Sequence, residues 1–329
     1  MIVKKAIDYN LISKYRTELM GIAMLDVLIL HFLSWSKLSS PQWLVLLLDN
    51  FGRLIFTEGF LFLSGFGLYY SFSKNASLSQ FYHKRLNRLL IPYILISLPF
   101  FLREYCLGEF GVDILLLKLS TLYFWLYGND GMWYISLSVL LYAIFPILYR
   151  GCRRWVGVIL LILLCVLGLV FLYKYANDYY MMTQLGITKI PFFIAGIYAG
   201  AQSKQCKHFD LLWVGVLVVL LLLLYKVEFE QVLIVRESVR RLLGLLLCCL
   251  ILSMVGKYRF VMMPLKKLGE YSLEIYIMHM CFSGLFSDYI SDIWLASLLP
   301  IIASVLLCKP AHYLCTKVTS LPSVHKADN

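Results

Sequence analysis

Long apolar runs separated by short polar stretches recur along the whole chain. A membrane-spanning helix needs about 20 mostly apolar residues, and about ten segments approach that length, some of them shorter. These segments are 19–36, 52–72, 89–107, 132–149, 155–173, 189–203, 210–226, 239–255, 272–288 and 292–308. The pattern predicts an all-α, polytopic transmembrane helical bundle of about ten spans, with residues 1–329 forming a single transmembrane domain.

One further apolar stretch is of a different kind. Residues 113–127, DILLLKLSTLYFWLY, are amphipathic and rich in aromatic side chains. Aromatic rings concentrate at the boundary between lipid and water. The sequence therefore predicts an interfacial or re-entrant segment here, not a span.

The charged residues between the spans predict the orientation. If both termini are cytoplasmic, most of the 30 lysines and arginines fall in cytoplasmic segments, and most acidic residues fall outside. The opposite orientation reverses both biases and violates the positive-inside rule. We therefore expect both termini in the cytoplasm.

Composition excludes a soluble protein. Hydrophobic residues make up 61% of the chain and charged residues 15%, against roughly 45–50% and 25% in soluble domains. The chain has a net charge of +11, and its basic residues lie between the apolar segments. This arrangement favours the lipid bilayer or an anionic ligand as partner over nucleic acid. The nine cysteines include no Cys-x-x-Cys pair, so no metal site is expected.

Ionisable residues inside the predicted first two spans are candidates for function, because charge is costly at bilayer depth. His31 lies about 18 Å along the first span, and Glu58 about 9 Å in from the outer end of the second. The helix rise thus predicts similar depths, with His31 as a general base and Glu58 as its orienting partner. A hydrogen bond that only fixes helix packing is the alternative. Asp26 does not share the His31 face, and a structural and a functional role stay equally open.

A cationic cluster lies on the predicted cytoplasmic side, within FYHKRLNRLLIP at 81–92. Lys84, Arg85 and Arg88 fall within about one helical turn. Paired guanidinium groups bind phosphate through forked hydrogen bonds, so a phosphate-rich cytosolic ligand would suit this cluster. An interfacial helix anchored by snorkelling cations is the alternative.

The remaining candidates are weaker. Ser64 could bond a ligand, although the small residues at 64, 65 and 67 equally favour close helix packing. Trp133 and Tyr134 begin a span at its outer end, where aromatic residues are common. His279 lies near mid-membrane and is a candidate by the cost of its burial. His312 falls in a cytoplasmic segment, where histidine is ordinary.

Five segments, in order along the chain, resemble the acyltransferase 3 family of bacterial membrane-bound transacylases. They are RTELMGIAMLDVLILHFL at 16–33, EGFLFLSGFGL at 58–68, HKRLNRLLIPY at 83–93, MWYISLSVLLYAIFPIL at 132–148 and LGEYSLEIYIMHM at 268–280. One position departs from the family pattern. The family's first helix usually carries an arginine eleven residues before the histidine, where this chain has Met20, and Arg16 lies one turn earlier.

The resemblance implies an enzyme of the bacterial cytoplasmic membrane that transfers an acyl group, most often acetyl, from cytosolic acyl-CoA to a hydroxyl of an extracytoplasmic glycan. On this basis His31 and Glu58 would be catalytic, and Lys84, Arg85 and Arg88 would bind acetyl-CoA. The expected substrate-binding residues are Ser64, Trp133, Tyr134, His279 and Asp26. Two alternatives stay open: a flippase or exporter of a lipid-linked glycan, and acyl transfer to a non-glycan acceptor. Transporter-type internal repeats are not visible in the sequence.

Overall fold

The computed structural model describes most of the chain. It covers residues 9–37, 42–43, 46, 54–74, 77–128, 130–206, 218–219 and 230–320. Helices account for nearly all of these residues, and no strand occurs among them. The all-α prediction is confirmed.

The described helices are numbered here in chain order. They are α1 (Tyr9–Lys14), α2 (Arg16–Ser36), α3 (Phe56–Lys74), α4 (Leu78–Cys106), α5 (Val112–Leu119), α6 (Tyr123–Tyr127), α7 (Trp133–Gly151), α8 (Trp155–Tyr175), α9 (Asn177–Ile187), α10 (Ile190–Lys204), α11 (Glu230–Val255), α12 (Arg259–Glu270), α13 (Ser272–Tyr289) and α14 (Ile293–Ser320).

Six of the described helices are long and apolar enough to cross a membrane, namely α2, α4, α7, α8, α11 and α14. They confirm a multi-pass membrane protein. Helices α3, α10 and α13 occupy three further predicted spans, while the span at 210–226 lies outside the described residues apart from 218–219. The count of ten spans and the orientation of the termini remain predictions.

The aromatic stretch at 113–127 forms two short helices, α5 and α6. Between them Thr121 has a φ of 64°, a left-handed conformation that ends a helix in a non-glycine residue. The break agrees with the prediction that this stretch is not one spanning helix. Helices α9 and α12 were not anticipated, because both lie in segments with too few consecutive apolar residues to predict a span.

The chain divides into two compact units. The first unit comprises Met1–Ala76 and Ile144–Ser272, and the second comprises Ser77–Ala143 and Leu273–Asn329. The candidate residues divide between them. Asp26, His31, Glu58 and Ser64 belong to the first unit, and Lys84, Arg85, Arg88, Trp133, Tyr134 and His279 belong to the second.

In the first unit, α3 and α10 pack with their backbones in direct contact. A Cβ atom added to Gly65 would overlap the carbonyl oxygen of Phe193, and one added to Gly196 would overlap the carbonyl oxygen of Phe62. Glycine on both helices permits this approach, as is usual in membrane helix pairs. The prediction that the small residues after Glu58 serve close packing is confirmed for Gly65.

Helix α2 packs between α3 and α12. On one side Ala23 contacts Gly59 of α3, whose added Cβ would lie 3.7 Å from the Ala23 Cβ. On the other side Gly21 and Gly269 allow the backbones of α2 and α12 to touch, at Leu265 and Thr17 respectively. The helix that carries Asp26 and His31 is therefore packed closely on both sides, with its backbone touching that of α12.

The second unit is joined by polar and aromatic contacts. The Arg103 guanidinium of α4 pairs with the Asp288 carboxylate of α13 at 2.9 Å, and the Phe100 and Phe282 rings meet edge-to-face at 5.6 Å. The Tyr93 hydroxyl of α4 donates to the Lys118 carbonyl of α5 at 2.6 Å. Helix α14 also packs along α4.

The close packing of α3 on α10 predicts a large response to a single methyl group. Gly65→Ala and Gly196→Ala each force backbone atoms apart, so we expect each to lower the free energy of unfolding by about 1–3 kcal/mol. The control is Gly168→Ala on α8, where an added Cβ meets no atom within 4 Å and alanine favours the helix. Unfolding by denaturing detergent measures the effect. Equal stability of all three variants would contradict the packing described.

Candidate functional site

Asp26 closes the start of α3. Its Oδ2 accepts hydrogen bonds from the backbone N–H of Ile55 at 2.7 Å and of Phe56 at 3.0 Å, and the side chain is buried. These donors belong to the first turn of α3, which has no intrahelical acceptors for them. The carboxylate from α2 thus acts as a tertiary helix cap, and the capped Phe56 has a left-handed conformation with a φ of 49°.

The Asp26 bonds set the register between α2 and α3. With Asp26 opposite Ile55 and Phe56, and Ala23 opposite Gly59, Glu58 lies at the level of Met24. His31 is seven residues further along α2, an axial offset of about 10 Å. The expectation of similar depths for His31 and Glu58 is therefore wrong. It assumed that the end of α2 and the start of α3 lie level, whereas α3 begins at Phe56, opposite Asp26 and ten residues before α2 ends at Ser36.

Glu58 is surrounded by cations. Its Oε1 lies 3.5 Å from the Lys189 Nζ and 3.9 Å from the Arg241 Nε, and its Oε2 accepts a hydrogen bond from the Thr57 hydroxyl. All three charged side chains are buried. Because a buried carboxylate is stable only when paired, Lys189 and Arg241 keep Glu58 ionised.

The same two cations contact Phe56. The Lys189 Nζ lies 5.7 Å and the Arg241 guanidinium carbon 5.4 Å from the centre of its ring, within the range of cation–π attraction. The start of α3 therefore joins a strained aromatic residue, two cations and a carboxylate in one buried cluster.

Sequence reasoning missed Lys189 and Arg241. Arg241 lies inside the predicted span 239–255, so the rule that selected His31 and Glu58 would have selected it as well. Lys189 gave a weaker signal, since it lies at the edge of a span, where lysine commonly extends towards water.

The His31 ring stacks on Trp35 of the same helix, with ring centres 5.0 Å apart and an angle of 28° between the planes. The two residues are one helical turn apart and so share a face of α2. The indole fixes one side of the imidazole.

Arg16 lies against α3. Its Nε donates to the Leu63 carbonyl at 3.0 Å, and the guanidinium occupies the space beside Gly67 that a side chain would fill. Ser64, the residue after Leu63 in α3, is buried. Arg16 thus reaches the middle of α3 from a position one turn before Met20.

In the second unit, the predicted phosphate cluster lies on α4, which begins at Leu78 and continues through it. Lys84 and Arg88 are exposed, and Arg85 is half-buried. The Arg85 Nε is buried and makes no hydrogen bond within the described residues. Arg85 lies within electrostatic range of the Arg88 guanidinium and of the Tyr142 hydroxyl. The cluster belongs to the start of a spanning helix and is not a separate interfacial helix.

The other candidates of the second unit converge around Tyr276 of α13. The Tyr276 hydroxyl donates to the Gly131 carbonyl at 2.6 Å, and its ring packs edge-on against Tyr134 at 5.5 Å and His279 at 5.6 Å. Trp133 packs edge-on against Tyr134. His279 is fully buried, and its Nδ1 lies 2.9 Å from the Ile275 carbonyl, which favours the tautomer that leaves Nε2 as the acceptor.

Asp130 lies in the turn before α7 and joins this group. Its Oδ1 accepts from the Met132 backbone N–H at 3.1 Å. Burial raises the pKa of the Asp130 carboxyl, and the Glu104 carboxylate raises it further, while the Met132 bond and the Lys118 ammonium oppose the shift. Sequence reasoning passed over Asp130 because it lies in a short polar loop.

A second buried carboxylate is paired with a histidine that sequence reasoning regarded as ordinary. The Glu274 Oε1 lies 2.7 Å from the His312 Nδ1, and Glu274 is buried while His312 remains partly exposed. The pair links α13 to α14 within the second unit. The sequence did not predict that Glu274 and His312 would be paired, because the two residues lie on different helices.

The helix cap at Asp26 can be tested by removing its acceptor. Asp26→Ala leaves two backbone donors buried without a partner, so we expect a loss of about 2–4 kcal/mol in the free energy of unfolding. Asp26→Asn keeps an acceptor oxygen and serves as the control, with a smaller loss expected. The measurement is unfolding by denaturing detergent. Equal stability of the alanine and asparagine variants would contradict the cap.

Comparison with known proteins gives a family. No curated protein and no solved structure matches the chain. Residues 19–311 match the family model Acyl_transf_3, described as an acyltransferase domain. The match covers most of the 329 residues and includes every candidate residue from Asp26 to His279. The chain therefore belongs to the acyltransferase 3 family, and it is a membrane acyltransferase that transfers groups other than aminoacyl groups.

Proposed function

We propose that this enzyme moves an acyl group, most often acetyl, from cytosolic acyl-CoA to a hydroxyl of an extracytoplasmic glycan at a bacterial cytoplasmic membrane. The observation that carries the proposal is the family match, which spans both the cationic cluster of α4 and the histidine of α2. The proposal divides the work between a donor-binding region and a catalytic region.

The donor region is the cluster on α4. Arg85 and Arg88 are three residues apart and so are neighbours on one helix surface, with Lys84 beside them. A buried guanidinium nitrogen without a hydrogen-bond acceptor is costly, and the Arg85 Nε is such an atom within the described residues. A phosphate oxygen of acyl-CoA would supply the missing acceptor.

The chemistry is assigned to His31. The imidazole takes the proton of the acceptor hydroxyl, and the oxygen then attacks the carbonyl carbon of the thioester. The carbon–sulfur bond breaks, and the CoA thiolate receives a proton to leave as the thiol. In a second route His31 first accepts the acyl group itself and then passes it to the hydroxyl. Both routes need a neutral imidazole.

Glu58 is proposed as a positioning residue. Held by Lys189 and Arg241, it provides a fixed buried charge about 10 Å nearer the start of α2 than His31. In this position Glu58 stabilises the packing of α2 and α3. The proposal does not include the direct bond between Glu58 and the His31 ring that the sequence predicted. Asp26 supports the same arrangement at the start of α3, where its carboxylate accepts from the backbone N–H groups of Ile55 and Phe56.

Turnover of acetyl-CoA by purified protein in nanodiscs, with and without envelope glycan, tests the proposal. His31→Ala removes the base, and we expect the rate of transfer to fall by about 10²–10⁴-fold with little change in KM. Replacing both arginines, Arg85→Ala with Arg88→Ala, should raise the KM for acetyl-CoA about 100-fold, because two charge-assisted hydrogen bonds are lost.

Two matched controls accompany these variants. His83→Ala removes an exposed histidine of α4, and the double variant Arg150→Ala with Arg154→Ala removes two exposed arginines; both should retain normal transfer. Full activity of His31→Ala would exclude both catalytic routes. Failure of the wild-type protein to bind any acyl-CoA would favour transport of a lipid-linked glycan instead.

A further inference from the structure

Helix α12 follows directly after one candidate membrane span and packs on the start of another. It begins four residues after Val255, where the candidate span of α11 ends, so it starts directly beyond the bilayer. It also packs on α2 at Thr17 and Gly21, in the first turns of the candidate span Arg16–Ser36. The end of α11 reaches the same level, since Gly256 contacts the Tyr15 hydroxyl.

The two faces of α12 differ sharply. At about 100° per residue, one face comprises Val261, Met262, Leu265, Leu268 and Gly269, all buried or half-buried. This is the face that packs on α2. The opposite face is exposed and comprises Arg259, Phe260, Met263, Pro264, Lys266, Lys267 and Glu270.

The exposed face carries both charge and apolar surface. Phe260 is 78% exposed and Met263 is 46% exposed, so two apolar side chains share this face with the lysines. Lys266 and Lys267 are exposed and form no ion pair with any described acidic residue. From Lys257 to Glu270 the chain has four basic residues and one acidic residue, Glu270.

We propose that α12 is a docking site for anionic phospholipid headgroups. Apolar side chains beside lysines and arginines on an amphipathic helix are the features of a helix that lies in the membrane interface. Phe260 and Met263 would contact acyl chains, and Lys266 and Lys267 would bind the phosphates of the headgroups. The distribution of basic residues between the spans predicts that α12 lies on the cytoplasmic side. Anionic phospholipids are concentrated in the leaflet on that side.

The site has a structural consequence for α2. Because α12 touches the backbone of α2 at two glycines, a lipid held by α12 also fixes the end of the helix that carries His31. The proposal does not depend on the acyl-transfer chemistry, and a protein without transferase activity would still bind the lipid.

Native mass spectrometry of the full chain in a neutral detergent tests the proposal, with dioctanoyl phosphatidylglycerol as the probe and dioctanoyl phosphatidylcholine as the uncharged comparison. Each lysine near an anionic headgroup contributes about fivefold to affinity. The double variant Lys266→Gln with Lys267→Gln should therefore bind phosphatidylglycerol about 25-fold more weakly, with phosphatidylcholine binding unchanged.

The control is Lys204→Gln with Lys309→Gln, which removes the same charge from two exposed lysines and should keep wild-type affinity. Circular dichroism verifies that both variants are folded. An equal loss of phosphatidylglycerol binding in the two variants would overturn the proposal, because net charge alone would then explain it. Displacement of the lipid by equimolar free CoA would also overturn it and assign α12 to the nucleotide.

Discussion

The contact between the Asp26 carboxylate and the first turn of α3 is the constraint on which the arrangement of the first unit depends. A carboxylate accepting from two backbone N–H groups at 2.7 and 3.0 Å fixes both the distance and the register of two helices whose connection is long. Sliding α3 by one turn would leave a buried charge and two backbone donors without partners, at a cost of several kcal/mol. The alternative registers are therefore excluded by polar groups, while the apolar residues of these helices would tolerate several of them.

The buried cluster at the start of α3 follows from this register. Once Glu58 is fixed inside the bundle, its charge requires compensation, which Lys189 and Arg241 supply from α10 and α11. Each member alone would be too costly to bury. Together they form a polar centre that joins three helices, while the glycines of α3 and α10 bring two of these helices into backbone contact. Polar pairing and small-residue packing thus act on one set of helices.

The elements of the fold were largely predictable from the sequence, because a span is a local property of about 20 residues. The runs at 19–36, 132–149 and 155–173 match α2, α7 and α8 closely. The break in 113–127 was also readable from its composition. Helix α12 was not, since its exposed face mixes lysine with phenylalanine and its buried face is recognisable only once α2 is known to lie beside it.

The candidate site was only partly predictable, because its contacts form between helices whose neighbours the sequence does not show. Burial cost selects Asp26, His31 and Glu58 one at a time, but partners depend on which helices are neighbours and in what register. These contacts join residues that are far apart in sequence: 131 residues for Glu58 and Lys189, 183 for Glu58 and Arg241, and 38 for Glu274 and His312. The depth assigned to Glu58 failed because α3 begins opposite Asp26, in the middle of α2, and not level with the end of α2.

The most direct test of this account is disulfide crosslinking between α2 and α3 in the membrane, with each linkage identified by peptide mass spectrometry so that the native cysteines do not interfere. Cysteines at Ala23 and Gly59, whose Cβ positions are 3.7 Å apart, match the separation that a disulfide requires. Cysteines at His31 and Glu58 are offset by about 10 Å along the helices and do not. The account predicts efficient linkage of the first pair and none of the second. Linkage of the second pair without the first would contradict it.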